Sequence, residues 1–324
     1  MRWVLLVGLL VVALAAGVLL GEAPLTAEQY RQALNDPASA PGEIVWSIRL
    51  PRSIAAAVVG AALGLAGAVM QGLLRNPLAD PGVLGVSAGS GLFAAVAVAA
   101  GAGAAAGAVE AAALLGALVS GAIVTAVAAR LREPEALILF GVALSAFAGA
   151  LTALVFNLSP SPITTAEVLA WLMGSVEARS MTDVAWALAP MLVGAALSAY
   201  AARALLVLTL GEETAALSGL PMARMRAAAV AGASLLTGAA VALAGVIGFV
   251  GLAAPHLVRG VWKDDPAATL WPSALAGAVL LVLADLASRL IPAEQPLRLG
   301  VVTALVGAPI FALIAWRAAR SWRG

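Results

Sequence analysis

The sequence predicts an all-α, polytopic membrane protein with about ten transmembrane helices in one domain covering residues 1–324. The first observation is composition: 63% of residues are hydrophobic and 11% charged, where a soluble domain carries about 45–50% apolar and ~25% charged residues. The mean hydropathy of +1.03 agrees. The second is spacing, because apolar runs close to the ~20 residues that cross a bilayer recur along the whole chain, separated by short polar segments rich in Pro and Gly. A formal net charge of +1 gives no electrostatic support for a nucleic-acid partner. The absence of cysteine excludes disulfides, thiolate metal sites and cysteine nucleophiles.

Taken in order, the spans are expected near 3–20, 50–74, 84–103, 109–129, 136–157, 184–209, 226–247, 248–262, 270–290 and 298–316. The first run follows a single Arg2 and resembles a signal peptide in outline. It exceeds the usual ~7–15-residue core and ends in Leu-Leu-Gly-Glu without a small-x-small cleavage site, which favours a retained span. Within 226–262 the apolar sequence is broken by Gly245, Gly248, Gly251 and Pro255, so two helices with a tight reversal or a half-helix between them are expected.

Counting Lys and Arg in the connections sets orientation. With the N-terminus inside, the cytoplasmic side holds Arg2, Arg75, Arg130, Arg132, Arg203, Arg224, Arg226, Arg259, Lys263, Arg317, Arg320 and Arg323, which is 12 of the 18 cations. The other side holds Arg31, Arg49, Arg52, Arg179, Arg289 and Arg298. Both termini are then cytoplasmic.

That count places Arg75-Asn-Pro-Leu-Ala-Asp-Pro-Gly82 in the cytoplasmic turn after the second span. Asn76 precedes Pro77 and Asp80 precedes Pro81, and a residue before proline avoids the helical region, so one reading is a helix stop. The other is irregular backbone lining a pathway. Gly82, Gly85, Gly89 and Gly91, with Ser87 and Ser90, give the next span a small-residue face suited to close packing. Ala55–Leu63 and Ala227–Leu235 agree at seven of nine positions, which suggests inverted half-repeats over about 50–157 and 226–316.

Between the sixth and seventh spans, Glu212, Glu213 and Thr214 suit a first helical turn, Ala215, Ala216 and Leu217 favour helix, and Gly219 with Pro221 stops it. This short helix is either a solvated connector or a docking helix for a cytoplasmic protein. Asp285 and Arg289 form an i, i+4 pair near the outer end of the ninth span. A carboxylate there raises a rival class, a proton-coupled secondary transporter, but pairing with an arginine makes a poor proton carrier. His256 is the only histidine; lacking Cys or a second His, it reads as structural and hydrogen-bonded, and no metal site is expected. No Walker A pattern occurs, and no catalytic constellation stands out, so no enzyme is expected.

Five motifs in order resemble a known family: Arg49-Leu-Pro-Arg52, Gly60 to Gly72, Arg75 to Gly85, Gly248 to Arg259 and Gly300 to Pro309. They are similar to the FecCD-type permeases of type II ABC importers for ferric siderophores, haem and cobalamin, over nearly the whole chain. The resemblance implies that importer fold, a homodimer with one path at its interface, two cytoplasmic ATPase subunits that hold the ATP and magnesium, and a periplasmic binding protein. No cofactor is implied in this chain, and the location implied is the bacterial inner membrane. Residues Gly211, Glu212, Glu213, Thr214, Ala215, Ala216, Leu217, Ser218, Gly219 and Leu220 match the coupling helix that enters the ATPase. Asn76, Pro77, Leu78, Ala79, Asp80 and Pro81 match the cytoplasmic gate turn, and Arg49, Arg52 and Arg289 match arginines that meet glutamates of the binding protein. The bland account of those arginines is snorkelling to the interface. An iron chelate is the first expectation for cargo, with cobalamin as the alternative; a membrane scaffold is the least favoured class.

Overall fold

The computed structural model describes residues 2–105, 107–130, 134–159, 161–262, 265–291 and 297–321. Arg132, Lys263 and Arg323, counted above among the inner cations, lie outside them, as do the side chains of Arg317 and Arg320. Among the described residues every regular element is helical. In chain order these are α1 (Arg2–Leu19), α2 (Ala27–Asn35), the single turn α3 (Ala40–Gly42), a π-helical stretch (Glu43–Arg49) running into α4 (Leu50–Leu74), and a 3-10 turn (Pro81–Leu84) before α5 (Val86–Ala99). There follow α6 (Ala108–Ala128), α7 (Pro134–Leu158), α8 (Pro162–Leu172), α9 (Met181–Leu208), α10 (Glu212–Leu217), α11 (Met222–Ala244), α12 (Val250–Trp262), α13 (Pro266–Leu290) and α14 (Leu299–Ser321). Among the described residues seven helices are long and apolar enough to cross a bilayer, and α5 and the Leu299–Pro309 part of α14 are shorter apolar helices; α12, of 13 residues, occupies the remaining expected span.

The second span, expected from residue 50, begins in continuous helix at Ala40 with α3, and two further helices were not expected from the sequence. The first, α2, begins at a capping box: the Thr26 hydroxyl accepts from Gln29 N–H at 3.3 Å and the Gln29 side chain accepts from Thr26 N–H at 2.7 Å. The second, α8, begins at Ser161, whose hydroxyl accepts from Ile163 N–H, with Pro162 at the first helical position. The span expected at 84–103 is shorter, because Gly85 (φ 83°) and Gly101 (φ 81°) take left-handed backbone at its two ends.

At the centre lies α4, packed against α13, α11, α12 and α9. Lipid-soluble helices gain nothing by hiding apolar surface from lipid, so close backbone approach has to supply the attraction. Its glycines permit this. A Cβ on Gly60 would stand 2.2 Å from the Gly277 carbonyl oxygen, one on Gly64 2.2 Å from that of Ser273, and one on Gly67 1.9 Å from that of Gly251. The same device joins α5 to α6, where a Cβ on Gly116 would come within 2.4 Å of the Gly89 carbonyl.

Between α11 and α12 the chain is irregular over 245–249, with Gly245 at φ 71° and Phe249 at φ 66°. Beside it, Ser175 N–H donates to the Ala244 carbonyl at the end of α11 at 2.7 Å, and Leu299 and Gly300 donate to the carbonyls of Gly174 and Met173 at 3.0 and 3.2 Å. Non-helical backbone within such a bundle persists because protein groups satisfy it.

Candidate functional site

The polar octapeptide is a built loop. Arg75 ends α4 in left-handed backbone (φ 49°), and the Asn76 side chain accepts from Leu78 N–H at 2.9 Å. The Asp80 carboxylate then accepts from Gly82 N–H at 2.7 Å, capping the 3-10 turn that leads into α5. Desolvation pushes the partly enclosed Asp80 carboxyl above the usual carboxylate range, and the Gly82 N–H pulls it back down. The helix-stop reading of this stretch describes this geometry: α4 ends at Leu74 and the next helical turn starts at Pro81.

Its two halves face two cavities. Asp80, Pro81 and Gly82 line a cavity of about 470 Å³ bounded by α4, α5, α7, α11 and the 245–249 break. That cavity is mostly apolar, with hydroxyls from Ser87, Ser145, Thr152 and Thr237. Among the described residues the intramembrane hydroxyls of Thr125, Thr152, Ser198 and Ser273 bond the carbonyl one turn back, whereas those of Ser145 and Thr237, like Ser53 and Ser234 away from the cavity, have no protein partner. Asn76 and Pro77 line a second, more polar cavity of about 340 Å³ with Gln71, Arg75, Thr209 and Arg259. The loop therefore separates an apolar chamber from a charged vestibule.

Beside the vestibule stands α10, with Glu212 and Glu213 in its first turn and the positive-φ residues Gly211 and Gly219 at its ends. Ala215 is buried against the body, while Leu217 is 87% exposed. Glu212 pairs with Arg75 at 3.7 Å and with Arg226 of α11.

At the opposite end the three arginines are turned inward. Arg49, 4% exposed, donates to the carbonyls of Val18 and Leu19 at 3.3 and 3.2 Å, to Ala23 O and to the Tyr30 hydroxyl. Arg289 donates to Gly17 O at 3.0 Å and touches Asp285 Oδ2 at 2.9 Å, an ion contact whose angle is poor for hydrogen bonding. Arg52 donates to Asp285 Oδ1 at 2.9 Å. Arg49 and Arg289 thus complete the carbonyl end of α1, which otherwise leaves orphan acceptors. Their burial departs from the snorkelling account, and Arg49 and Arg52 reach different elements despite their spacing.

His256 differs from the expectation as well. It is exposed on α12 and makes no hydrogen bond among the described residues. Its neighbours Pro77 and Leu78 put it beside the octapeptide. No group of three metal-ligating side chains occurs among the described residues.

Comparison with known proteins decides the family. The FecCD transport family model matches residues 9–317. The chain belongs to the FecCD transport family. As such it is a multi-pass permease component of an ABC importer. It is 41% identical over 286 residues to an uncharacterized ABC transporter permease, YvrB, of Bacillus subtilis, covering 86% of this chain and 80% of that one. It is 42% identical over 270 residues to the cobalamin import system permease BtuC of Halobacterium salinarum, covering 83% and 72%. It is 40% identical over 325 residues to the vitamin B12 import system permease BtuC of Salmonella schwarzengrund, covering 98% and 96%. A solved structure described as an inward-facing conformation of a metal-chelate type ABC transporter matches with TM-score 0.83 and 29% identity over 96% of this chain and 97% of that one.

Proposed function

We propose that this chain is the permease of an ATP-driven corrinoid importer, working as a homodimer with two ATPase subunits and an external binding protein. The observation that carries the cargo assignment is the 40% identity, over 98% of this chain, to a vitamin B12 import permease. It reverses the order expected from the sequence, where iron chelates came first. A ferric chelate remains the second reading because the solved relative is of metal-chelate type.

In this mechanism the chain itself performs no chemistry. The partner ATPases hold ATP and magnesium and hydrolyse the nucleotide; α10 and its exposed Leu217 form the contact with them. The 470 Å³ chamber is the membrane portion of the path, and Asn76 to Pro81, within the octapeptide, form its cytoplasmic gate. N- and C-termini are assigned to the cytoplasm of a bacterial cell on the Lys and Arg count; Arg2 donates to Val261 O, near Arg259, which lines the vestibule with Arg75. The binding protein is assigned to the end carrying Arg49, Arg52 and Arg289; to meet those groups its carboxylates would displace the α1 carbonyls or Asp285.

The test is uptake into proteoliposomes containing the permease, its ATPase and its binding protein. ATP-dependent accumulation of cyanocobalamin, with ferric hydroxamate and haem excluded, is the expected result. Uptake of either iron compound in place of cyanocobalamin would transfer the assignment to iron, and absence of all ATP-dependent uptake would remove the importer reading.

A further inference from the structure

Glycine is the usual residue where a helix ends in left-handed backbone, because a Cβ is disfavoured there. α4 ends on Arg75 at φ 49°. A side chain kept at a position that favours none needs a use, and the structure provides one. The Arg75 guanidinium lies 3.7 Å from Glu212, on the first turn of α10. The second carboxylate oxygen of Glu212 meets Arg226, one turn into α11.

We infer that Glu212 is a two-armed connector that moves the octapeptide and α11 together when α10 moves, with Arg75 as its gate-side positioning residue. This deepens the importer reading and rests on it. One arm ends at the residue immediately before Asn76, so a displacement of α10 is applied to the loop that carries Asp80 and Pro81 into the chamber. The other arm ends on α11, which carries Thr237 into the same chamber and terminates at the 245–249 break. Two walls of one cavity are thereby attached to a single carboxylate. Without that attachment α10 has few other means of reaching the loop, since α10 itself packs chiefly on α9.

The absence of native cysteine makes the test clean. Spin labels on cysteines replacing Ser218 and Leu78 report the distance between α10 and the loop in the purified permease alone. Arg75→Gln should broaden that distance distribution, while Arg75→Lys, which keeps the charge, should leave it narrow. In proteoliposomes with the ATPase and binding protein, Arg75→Gln should lower cyanocobalamin moved per ATP hydrolysed by about two- to fivefold, the range expected for a half-exposed pair. Arg75→Lys should restore the ratio, which a merely structural loss of folding would not permit. An unchanged distance overturns the inference whatever happens to transport, because Arg75 would then act elsewhere. A broadened distance with a wild-type transport ratio overturns it too. Failure of the wild-type permease to take up cyanocobalamin or an iron chelate with ATP would sink the importer reading instead, and the distance measurement would still decide whether Arg75 ties α10 to the loop.

Discussion

Arg49 delivers its guanidinium to the carbonyls of Val18, Leu19 and Ala23, of which Leu19 O also accepts from the Tyr30 hydroxyl, so its value lies chiefly in the Val18 and Ala23 acceptors. Truncation to alanine removes the donor to these carbonyls, at about 0.5–1.5 kcal/mol for each hydrogen bond lost. Arg49→Ala should therefore lower the apparent Tm in detergent by several degrees, read by intrinsic tryptophan fluorescence, with Arg49→Lys intermediate. An unchanged Tm would mean that α1 is held by packing alone. Asp80 offers a pH-dependent counterpart. Its folded pKa is raised above the unfolded value of ~3.9, so the folded state holds the proton more tightly. The carboxyl favours folding below the raised pKa and costs stability as pH rises through it. Asp80→Asn keeps the acceptor for Gly82 N–H and removes that cost. The variant should melt at or above wild type near neutral pH and show a weaker fall in melting point as pH rises from the unfolded carboxyl value of ~3.9; a lower melting point would show that the charge itself is needed.

Elements meet in this fold through glycine. Gly67→Ala would set a Cβ 1.9 Å from a backbone oxygen of α12, which cannot rotate away. The α4–α12 contact must open, at about 1–3 kcal/mol or more for overpacking. The expected outcome is reduced yield of monodisperse protein on size-exclusion chromatography, whereas Gly8→Ala, with nothing within 4 Å, should behave as wild type. For α10, replacing Glu212 and Glu213 with lysine reverses the charge at a helix start and at the proposed ATPase contact. Pulldown of the ATPase should be lost; wild-type capture would remove α10 from the coupling path.

For the molecule as a whole, the proposed dimer places two octapeptides across one exit. Cysteines at Asn76 or Leu78 in both copies should crosslink and stop uptake, and efficient crosslinking with undiminished uptake would put the loop away from the path. Much of this architecture was legible because bilayer thickness fixes helix length and because glycine and proline mark ends; the two helices predicted within 226–262 appear as α11 and α12. What escaped was decided by short-range polar detail. Thr26 with Gln29 and Ser161 with Pro162 were helix-start signals inside segments too short to register as spans. The inward turn of Arg49 and Arg289 was illegible for another reason: their partners are main-chain carbonyls of a helix distant in sequence, and a carbonyl has no letter.

The break at 245–249 carries one more consequence, for exchange with solvent. Segment 173–175 lends an amide to the end of α11 and receives two from the start of α14, so three chain segments are knotted through backbone alone. Deuterium should enter Ser175, outside any helix, as slowly as it enters the middle of α11, and should enter all three segments together when it finally does. Rapid labelling of Ser175 beside a protected α11 would mean that the knot opens on its own.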